Sequence, residues 1–337
     1  MINIAVLGCG HWGGNYLRLG SAAEGVRLVA CADASQERVA AVRRMYPEVE
    51  ASTSASDILA RDDIQAVVIA TPTETHYLLA RQALESGKDV LCEKPLTASV
   101  GEAAELVRIS QDRNRILMTG HIFLFNPGIR KVRDCITAGE CGKPCYLHSV
   151  RTNLGPFRRD VNVVWDLAPH DISIFSYLLG AQPFRVWAKG ESFLQPGIED
   201  VAFITLAYPD KVLGHMHVSW LEPRKVRQIT VIGDKKMVGW DDLDPVGPVR
   251  VYDKSVGRDR FYDNFGEFCL LAREGDITIP RVTLGEPLKA EFAHFLDCVT
   301  TRKAPVTDGA NGLQVVKVLA AIQRSMQQDG LPQEVDA

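Results

Sequence analysis

Through the first third of the chain, short apolar runs alternate with stretches whose apolar positions recur every three or four residues. That is the signature of buried strands interleaved with amphipathic helices. Residues 2–7, 26–31, 66–70, 89–92 and 116–119 read as strands, and 15–20, 36–45, 55–60, 74–86 and 100–112 as helices, with Gly87 as a stop. The alternation predicts a doubly wound parallel sheet. After residue 121 the rhythm changes. A helix over 129–137 leads into period-two runs at 146–151, 184–191, 201–207, 212–219 and 226–232, and Gly233-Asp234-Lys235-Lys236 reads as a hairpin turn before 237–240. Strands this close together predict a mostly antiparallel sheet. A helix over 165–179 interrupts it, and two more, 287–300 and 309–327, follow. The expected class is α/β plus α+β, divided near 121–127 into domains 1–121 and 122–337.

Composition changes this picture little. The 337 residues are 46% apolar, enough for two sizeable cores. A formal charge of −4 gives no reason to expect nucleic acid or an anionic membrane as partner. No apolar run approaches the ~20 residues that span a bilayer, and the start of the chain lacks a basic leader. Of eight cysteines (Cys9, Cys31, Cys92, Cys135, Cys141, Cys145, Cys269, Cys298), several fall in apolar strand patterns. Cys141 and Cys145 have a metal-like spacing, but no second pair or His cluster follows, so no metal is expected. Reduced thiols in a cytoplasmic protein is the simpler expectation.

The candidate chemistry begins at the first strand. Gly8-Cys9-Gly10-His11-Trp12-Gly13 follows it at once, and Asp33 ends the second strand, twenty residues after Gly13. The first glycine permits a tight turn, the second a close approach of backbone to pyrophosphate, and the third close packing of helix on strand. Amides at the helix start then face phosphates, and Asp33 can accept hydrogen bonds from an adenine ribose. A 2′-phosphate beside Asp33 would be repelled, and Ala34 and Ser35 supply no cation, so NAD is expected over NADP.

Thr71-Pro72-Thr73, Glu93-Lys94-Pro95 and Gly120-His121 all stand at strand carboxyl ends, where ligands of such sheets bind. There Lys94, otherwise a plain surface lysine in a turn, can move a proton. In Trp165-Asp166-Leu167-Ala168-Pro169-His170-Asp171, Asp166 and His170 are four apart and share a helix face. They suit removal of a hydroxyl proton as hydride leaves carbon. Equally, Asp166 can be a helix cap and His170 a satisfied polar residue. Arg158 and Arg159, near Arg151 and Asn153, can clamp a diphosphate or form a solvated basic turn.

Taken together, the glycine fingerprint, the Thr-Pro turn with His76, Glu93-Lys94-Pro95 and the Asp-x-x-x-His helix resemble the Gfo/Idh/MocA oxidoreductases over nearly the whole chain. The resemblance implies that Lys94, Asp166 and His170 line a substrate site, with His170 usually the proton acceptor. It also implies that Gly8, Gly10, His11, Trp12, Gly13, Asp33, Thr71, Pro72, Thr73, His76, Glu93 and Lys94 serve NAD, and that an open-faced sheet pairs subunits into a homodimer or homotetramer. Residues 121–127 with Glu286-Pro287-Leu288, Glu291, His294-Phe295-Leu296 and Pro305-Val306-Thr307-Asp308-Gly309 are most similar to the branch of UDP-N-acetylglucosamine and UDP-N-acetylglucosaminuronate 3-dehydrogenases. That branch implies oxidation of C3 of a nucleotide-linked sugar for glycan biosynthesis, with an aminotransferase next. Phe125 and Asn126, with Arg151, Asn153, Arg158 and Arg159 of the candidate clamp, are the further residues expected at the substrate. A free sugar, polyol or inositol dehydrogenase is the alternative, and a nonenzymatic NAD-binding regulator is the reading from another class. Two departures stand out: Asn162-Val163-Val164-Trp165 replaces a glycine-rich approach to the Asp-x-x-x-His helix, and Thr73 replaces a frequent Asn.

Overall fold

The computed structural model describes residues 1–258 and 270–336 and divides the chain into two compact units, Met1–Ile122 with Glu286–Lys317, and Phe123–Gly285 with Val318–Ala337. The first unit opens with β1 (Ile2–Leu7), α1 (His11–Ala22), β2 (Val26–Ala32), α2 (Gln36–Met45), β3 (Glu50–Ser52), α3 (Ala55–Leu59), β4 (Ala66–Ile69), α4 (Thr73–Glu85), β5 (Asp89–Glu93), α5 (Val100–Asp112) and β6 (Leu117–Gly120). The strands pair in parallel in the order β3-β2-β1-β4-β5-β6, the doubly wound arrangement expected. Parallel strands covered on both faces need apolar residues at successive positions. Ile4 to Leu7 and Ala66 to Ile69 are accordingly all at 0% exposure.

The turn after β1 needs glycine at two places. Gly8 has φ +89°, and a Cβ there would stand 2.5 Å from the Ala70 carbonyl oxygen. A Cβ on Gly13 would run into the carbonyl of Gly8 itself. Helix α1 therefore lies directly against β1, with Gly13, Tyr16, Leu17 and Gly20 as its buried stripe.

The second unit contains α6 (Pro127–Thr137), β7 (Pro144–Leu154), α7 (Val163–Leu179), β8 (Arg185–Glu191), β9 (Val201–Ala207), β10 (Leu213–Ser219), β11 (Leu221–Gly233), β12 (Met237–Asp241), β13 (Val249–Tyr252), a small hairpin of β14 (Ser255–Arg258) with β15 (Leu270–Arg273), and β16 (Ile277–Thr278). Then come α8 (Pro287–Thr301), α9 (Gly309–Gln327) and β17 (Gln333–Glu334). Nine of these described strands form one sheet, β16-β13-β12-β11-β7-β10-β9-β8-β17, antiparallel except where β10 runs parallel to β7. Gly233 and Lys236 close the expected hairpin with a 3.0 Å backbone hydrogen bond. Alternation along β7 assigns the faces: Leu147, Ser149 and Arg151 are buried on the side of α7. Tyr146, Phe203 and Leu213 stay 46–50% exposed on the other side, where His148 stacks on His215 at 5.7 Å and Phe203 on His217 at 4.5 Å.

Several details differ from the sequence reading. The division is not a single cut at 121–122, because Glu286–Lys317 returns to the first unit. The physical reason is the apolar stripe of α8: Phe292 packs against Tyr16 with ring centroids 6.1 Å apart. Arg302 Nη1 donates to Asp89 Oδ2 at 2.7 Å, and the Thr119 amide donates to the Thr307 carbonyl at 2.7 Å. Strand β3 is too short to show a period. Cys269 lies outside the described residues, and the other seven cysteines are free thiols. No helix among the described residues is long and apolar enough to cross a membrane.

A stability contrast follows from the glycines of α1. Gly13→Ala forces helix and strand apart and destabilises the chain by about 1–3 kcal/mol. Gly14, exposed and with nothing within 4 Å of a built Cβ, becomes Ala with a gain of up to about 1 kcal/mol. Denaturant midpoints of the two variants, moving in opposite directions from the parent, are the check.

Candidate functional site

In the first unit, Gly10 precedes α1 without a side-chain cap, so the turn presents first-turn amides that no side chain satisfies. His11 and Trp12 stand exposed beside it, their rings edge to face at 5.5 Å. Asp33, 8% exposed, holds the turn from the β2 side. Its Oδ2 accepts the Cys9 amide at 2.7 Å and its Oδ1 the Ser35 amide at 2.8 Å. Both carboxylate oxygens keep further lone pairs for a ribose diol. The glycine cradle and the acid thus fit a dinucleotide. One expectation needs correction. Ala34 and Ser35 carry no charge, but the first turn of α2 brings Arg38 Nη1 to 3.4 Å from Asp33 Oδ2, so a cation does stand beside the acid. Its position, five residues on and within a helix, hid it in the linear reading.

At the carboxyl ends of β4, β5 and β6 the polar groups interlock. Thr75 Oγ1 donates to Thr71 Oγ1 at 2.7 Å. His76, 1% exposed, places Nδ1 2.9 Å from the Pro95 carbonyl and Nε2 2.9 Å from the Thr71 carbonyl. It pins the Thr-Pro turn to the Glu93-Lys94-Pro95 turn instead of facing outward. Burial pushes its pKa down despite the two carbonyls. A neutral ring can donate to only one of them. Glu93 Oε2 accepts the Lys94 amide at 3.2 Å, and Glu93 Oε1 accepts the Tyr16 hydroxyl at 3.0 Å. Burial pushes the Glu93 carboxyl up, and the Lys94 charge opposes this. His121 is fully buried, and neither ring nitrogen has a hydrogen-bond partner among the described residues. Burial, reinforced by Lys94, pushes its pKa down to about 3, so the ring is neutral at any ordinary pH. Sequence reasoning did not single out Tyr16, and it named His121 at a strand end and Glu291 within the family resemblance, not as partners in this cluster. A signal existed: Glu291 falls on the buried stripe of α8 with Leu288, Phe292 and Phe295.

In the second unit, α7 carries Asp166 and His170. The helix starts two residues earlier than its apolar pattern suggested, because Asn162 caps it by accepting the Trp165 amide at 3.1 Å. Asp166 is therefore not the cap. Arg158 Nη1 donates to its Oδ1 and Trp220 Nε1 to its Oδ2, each at 3.2 Å, which fixes the carboxylate plane. The His170 ring meets Phe123 edge to face at 4.9 Å. Phe123 in turn lies under the Arg151 guanidinium at 4.5 Å.

Most of the residues expected around a substrate are engaged in the framework of this unit. Arg151 is 3% exposed and donates through Nε and Nη2 to Asp171 Oδ1 at 3.0 and 2.7 Å. Phe125 is buried under Arg130. Asn126 caps α6, accepting the Gly128 amide at 2.8 Å, and donates to Asp242 at 3.2 Å. Asn153 donates to the Gly155 carbonyl. Arg158 divides its guanidinium between Asp160 and Asp166. Arg159 is exposed. Among the described residues no three or more His, Cys, Asp or Glu side chains gather as a metal site would require.

Residues 2–121 match the oxidoreductase family Gfo/Idh/MocA with its NAD-binding Rossmann fold, and residues 129–238 match that family's C-terminal domain. A UDP-N-acetylglucosamine 3-dehydrogenase of Acidithiobacillus ferrooxidans is 28% identical over 327 residues, 92% of this chain and 93% of that protein. The scyllo-inositol 2-dehydrogenase (NAD(+)) of Bacillus subtilis is 25% identical over 99% of this chain and 96% of its own length. A 2,7-anhydro-N-acetylneuraminate hydratase of Mediterraneibacter gnavus is 27% identical over 225 residues, where this chain spans 62% of itself and 59% of the relative. Among solved structures, GenD2 from gentamicin A biosynthesis in complex with NAD superposes with a TM-score of 0.83 at 23% identity, covering 100% of this chain and 97% of that one.

The Arg151–Asp171 pair supplies a direct test of framework against ligand contact. Arg151→Met leaves a buried carboxylate uncompensated and lowers unfolding free energy by about 3–5 kcal/mol. Urea denaturation checks this, and Arg151→Met combined with Asp171→Asn recovers part of the loss.

Proposed function

The chain belongs to the Gfo/Idh/MocA oxidoreductase family, a dehydrogenase acting on CH–OH groups, and on that footing we propose that it oxidises a secondary hydroxyl, at C3, of a nucleotide-linked sugar such as UDP-N-acetylglucosamine to the 3-keto sugar. The observation that carries the chemistry is the Asp166–His170 pair, four residues apart on α7, its carboxylate held on both oxygens by Arg158 and Trp220. The near full-length match to a UDP-N-acetylglucosamine 3-dehydrogenase supports the substrate class.

NAD is the proposed cofactor and, when bound, supplies the two-electron acceptor for hydride. Gly8, Gly10 and Gly13 would hold its pyrophosphate and Asp33 its adenine ribose, with His11, Trp12, Thr71, Pro72, Thr73 and Lys94 as further contacts. His76 and Glu93 would act from behind, through Pro95 and Lys94. As hydride leaves the sugar carbon, the hydroxyl proton passes to His170, with Lys94 as the alternative acceptor, and Asp166 orients the acceptor. The C–H and O–H bonds break and a carbonyl forms. A ketone product suits a following aminotransferase. The open face of the nine-stranded sheet, with Tyr146, Phe203 and Leu213 exposed, would pair a second copy into a homodimer or homotetramer.

One observation favours a second reading. Arg151 is buried against Asp171 and Arg158 is tied to two carboxylates, which leaves Arg159 as the exposed arginine of the anticipated diphosphate clamp. A free sugar, polyol or inositol needs no such clamp, and an inositol dehydrogenase is among the relatives.

Lys94→Ala and His170→Asn are expected to lower kcat by about 10²–10⁴, with NAD titration by tryptophan quenching unchanged in His170→Asn and still saturable, at higher NAD, in Lys94→Ala. Near-parental rates would remove those roles. A panel of UDP-, dTDP- and GDP-sugars and free polyols, read by NADH absorbance with and without an aminotransferase, separates the two substrate readings. Cofactor choice is tested separately. Asp33→Asn removes one like charge facing a 2′-phosphate and shifts the kcat/KM ratio toward NADP by about tenfold. Arg38→Ala shifts it the other way, and an unchanged ratio in both variants would overturn the role given to this pair.

A further inference from the structure

Beside Lys94 in the chain, Glu93 meets two other oxygen-bearing side chains in a buried volume. Tyr16 Oη lies 3.0 Å from Glu93 Oε1 and 3.1 Å from Glu291 Oε2. Tyr16 and Glu291 are each at 0% exposure and Glu93 at 8%. A phenol carries one proton and can donate to one acceptor. Were both carboxyls ionised, the second contact would set a hydroxyl lone pair against a carboxylate oxygen in a poorly solvated interior, and two like charges would share one phenol. The hydrogen-bond count therefore requires a second proton on one of the two carboxyls.

Their surroundings decide which. The other oxygen of Glu93 accepts the Lys94 amide, and the Lys94 charge acts directly on that carboxyl. The other oxygen of Glu291, Oε1, is buried with no hydrogen-bond partner among the described residues. Burial and the Glu93 charge both push the Glu291 carboxyl well up, and the Tyr16 hydrogen bond opposes them. Among the described residues, the titratable groups acting on the pair are Tyr16 from α1, the buried Cys92 thiol within β5 and Lys94 just after it, and the neutral His121 at the end of β6 senses the same lysine.

We propose that Glu291 carries a proton at neutral pH and, through Tyr16, holds Glu93 as the anion beside Lys94, so that Tyr16 and Glu291 are positioning residues for the dehydrogenation. The chain of donors runs one way: Glu291 O–H donates to Tyr16 Oη, and Tyr16 O–H donates to Glu93 Oε1. Phe292 packs against the Tyr16 ring and keeps it in place. The kinetic role rests on the reading of Lys94 given above, whereas the protonation of Glu291 does not.

The test separates the two. In carbon-13 NMR of the unmodified full chain with labelled glutamate, one side-chain carboxyl resonance stays at its protonated position from pH 6 to 8. In infrared spectra at pH 7.5 the carbonyl stretch of a protonated carboxyl is present, is lost in Glu291→Gln and survives in Glu93→Gln. Absence of both signals from the unmodified chain, or loss of the band in Glu93→Gln with survival in Glu291→Gln, overturns the assignment. Stability gives a third measure. A carboxyl raised on folding keeps a proton that the unfolded chain releases, so stability falls as pH rises above the ordinary glutamate range. The melting temperature of the parent must therefore fall more steeply from pH 5 to 8 than that of Glu291→Gln, and equal slopes count against the proposal. Tyr16→Phe keeps the ring and removes the relay. Its kcat is expected to drop about tenfold, the rate equivalent of one hydrogen bond to a charged group. The acidic limb of its kcat–pH profile moves to higher pH, with KM for NAD within twofold. A profile superimposing on the parent overturns the positioning role. Failure of Lys94→Ala to lose activity, with the spectroscopic signals intact, would remove the kinetic role given to Lys94 and leave the protonation of Glu291 standing. Absence of NADH formation across the sugar panel with those signals intact would remove the dehydrogenation reading alone.

Discussion

The contact of Gly13 with the Gly8 carbonyl governs more of the first unit than its size suggests. Only a residue without a Cβ lets α1 approach β1 this closely. That approach turns the helix start toward a phosphate. One turn later it drives Tyr16 into the interior, on the same stripe, where Glu93 and Glu291 meet its hydroxyl. A cofactor cradle and a buried carboxyl relay thus stand one turn apart on a single helix. Shifting α1 outward would disturb both.

The second unit solves a related difficulty with charge. Helix α7 must offer polar groups near its start while most of the helix is buried. Asn162 satisfies the first turn, Arg158 and Trp220 hold Asp166, and the Asp171–Arg151 pair supports Phe123 under His170. An isolated buried arginine would be intolerable, and a paired one becomes a rigid platform. Side chains that look suited to binding an anion in sequence are thereby spent on geometry.

Much of the plan is legible in linear order because strands and helices carry their periods locally. The kind of each sheet, the hairpin at Gly233–Lys236 and the glycine turn all follow from local patterns, whereas the strand order, in which β1 pairs with β4 and β7 with β10, does not. What escapes is whatever depends on a partner far along the chain. The stripe of α8 announces that this helix must be covered but not by which element, so its return to the first unit is invisible. Arg38 is hidden from Asp33 by half a helical turn, and Asn162 takes the capping role that the spacing also allowed to Asp166. Arg151 reads as a ligand contact until Asp171 is seen against it.

The return of Glu286–Lys317 also imposes an order of events on synthesis. Tyr16 and its partner Glu291 are 275 residues apart, so the N-terminal sheet emerges from the ribosome long before its last helix exists. Until then Tyr16 and Glu93 lack their third member, and the flank that Phe292 covers is bare. Contacts of such separation are formed late and slowly. Vectorial folding from the N-terminus therefore yields an intermediate in which the phosphate turn can already assemble while the carboxyl relay is incomplete, and maturation of the acidic cluster reports that α8 has been made.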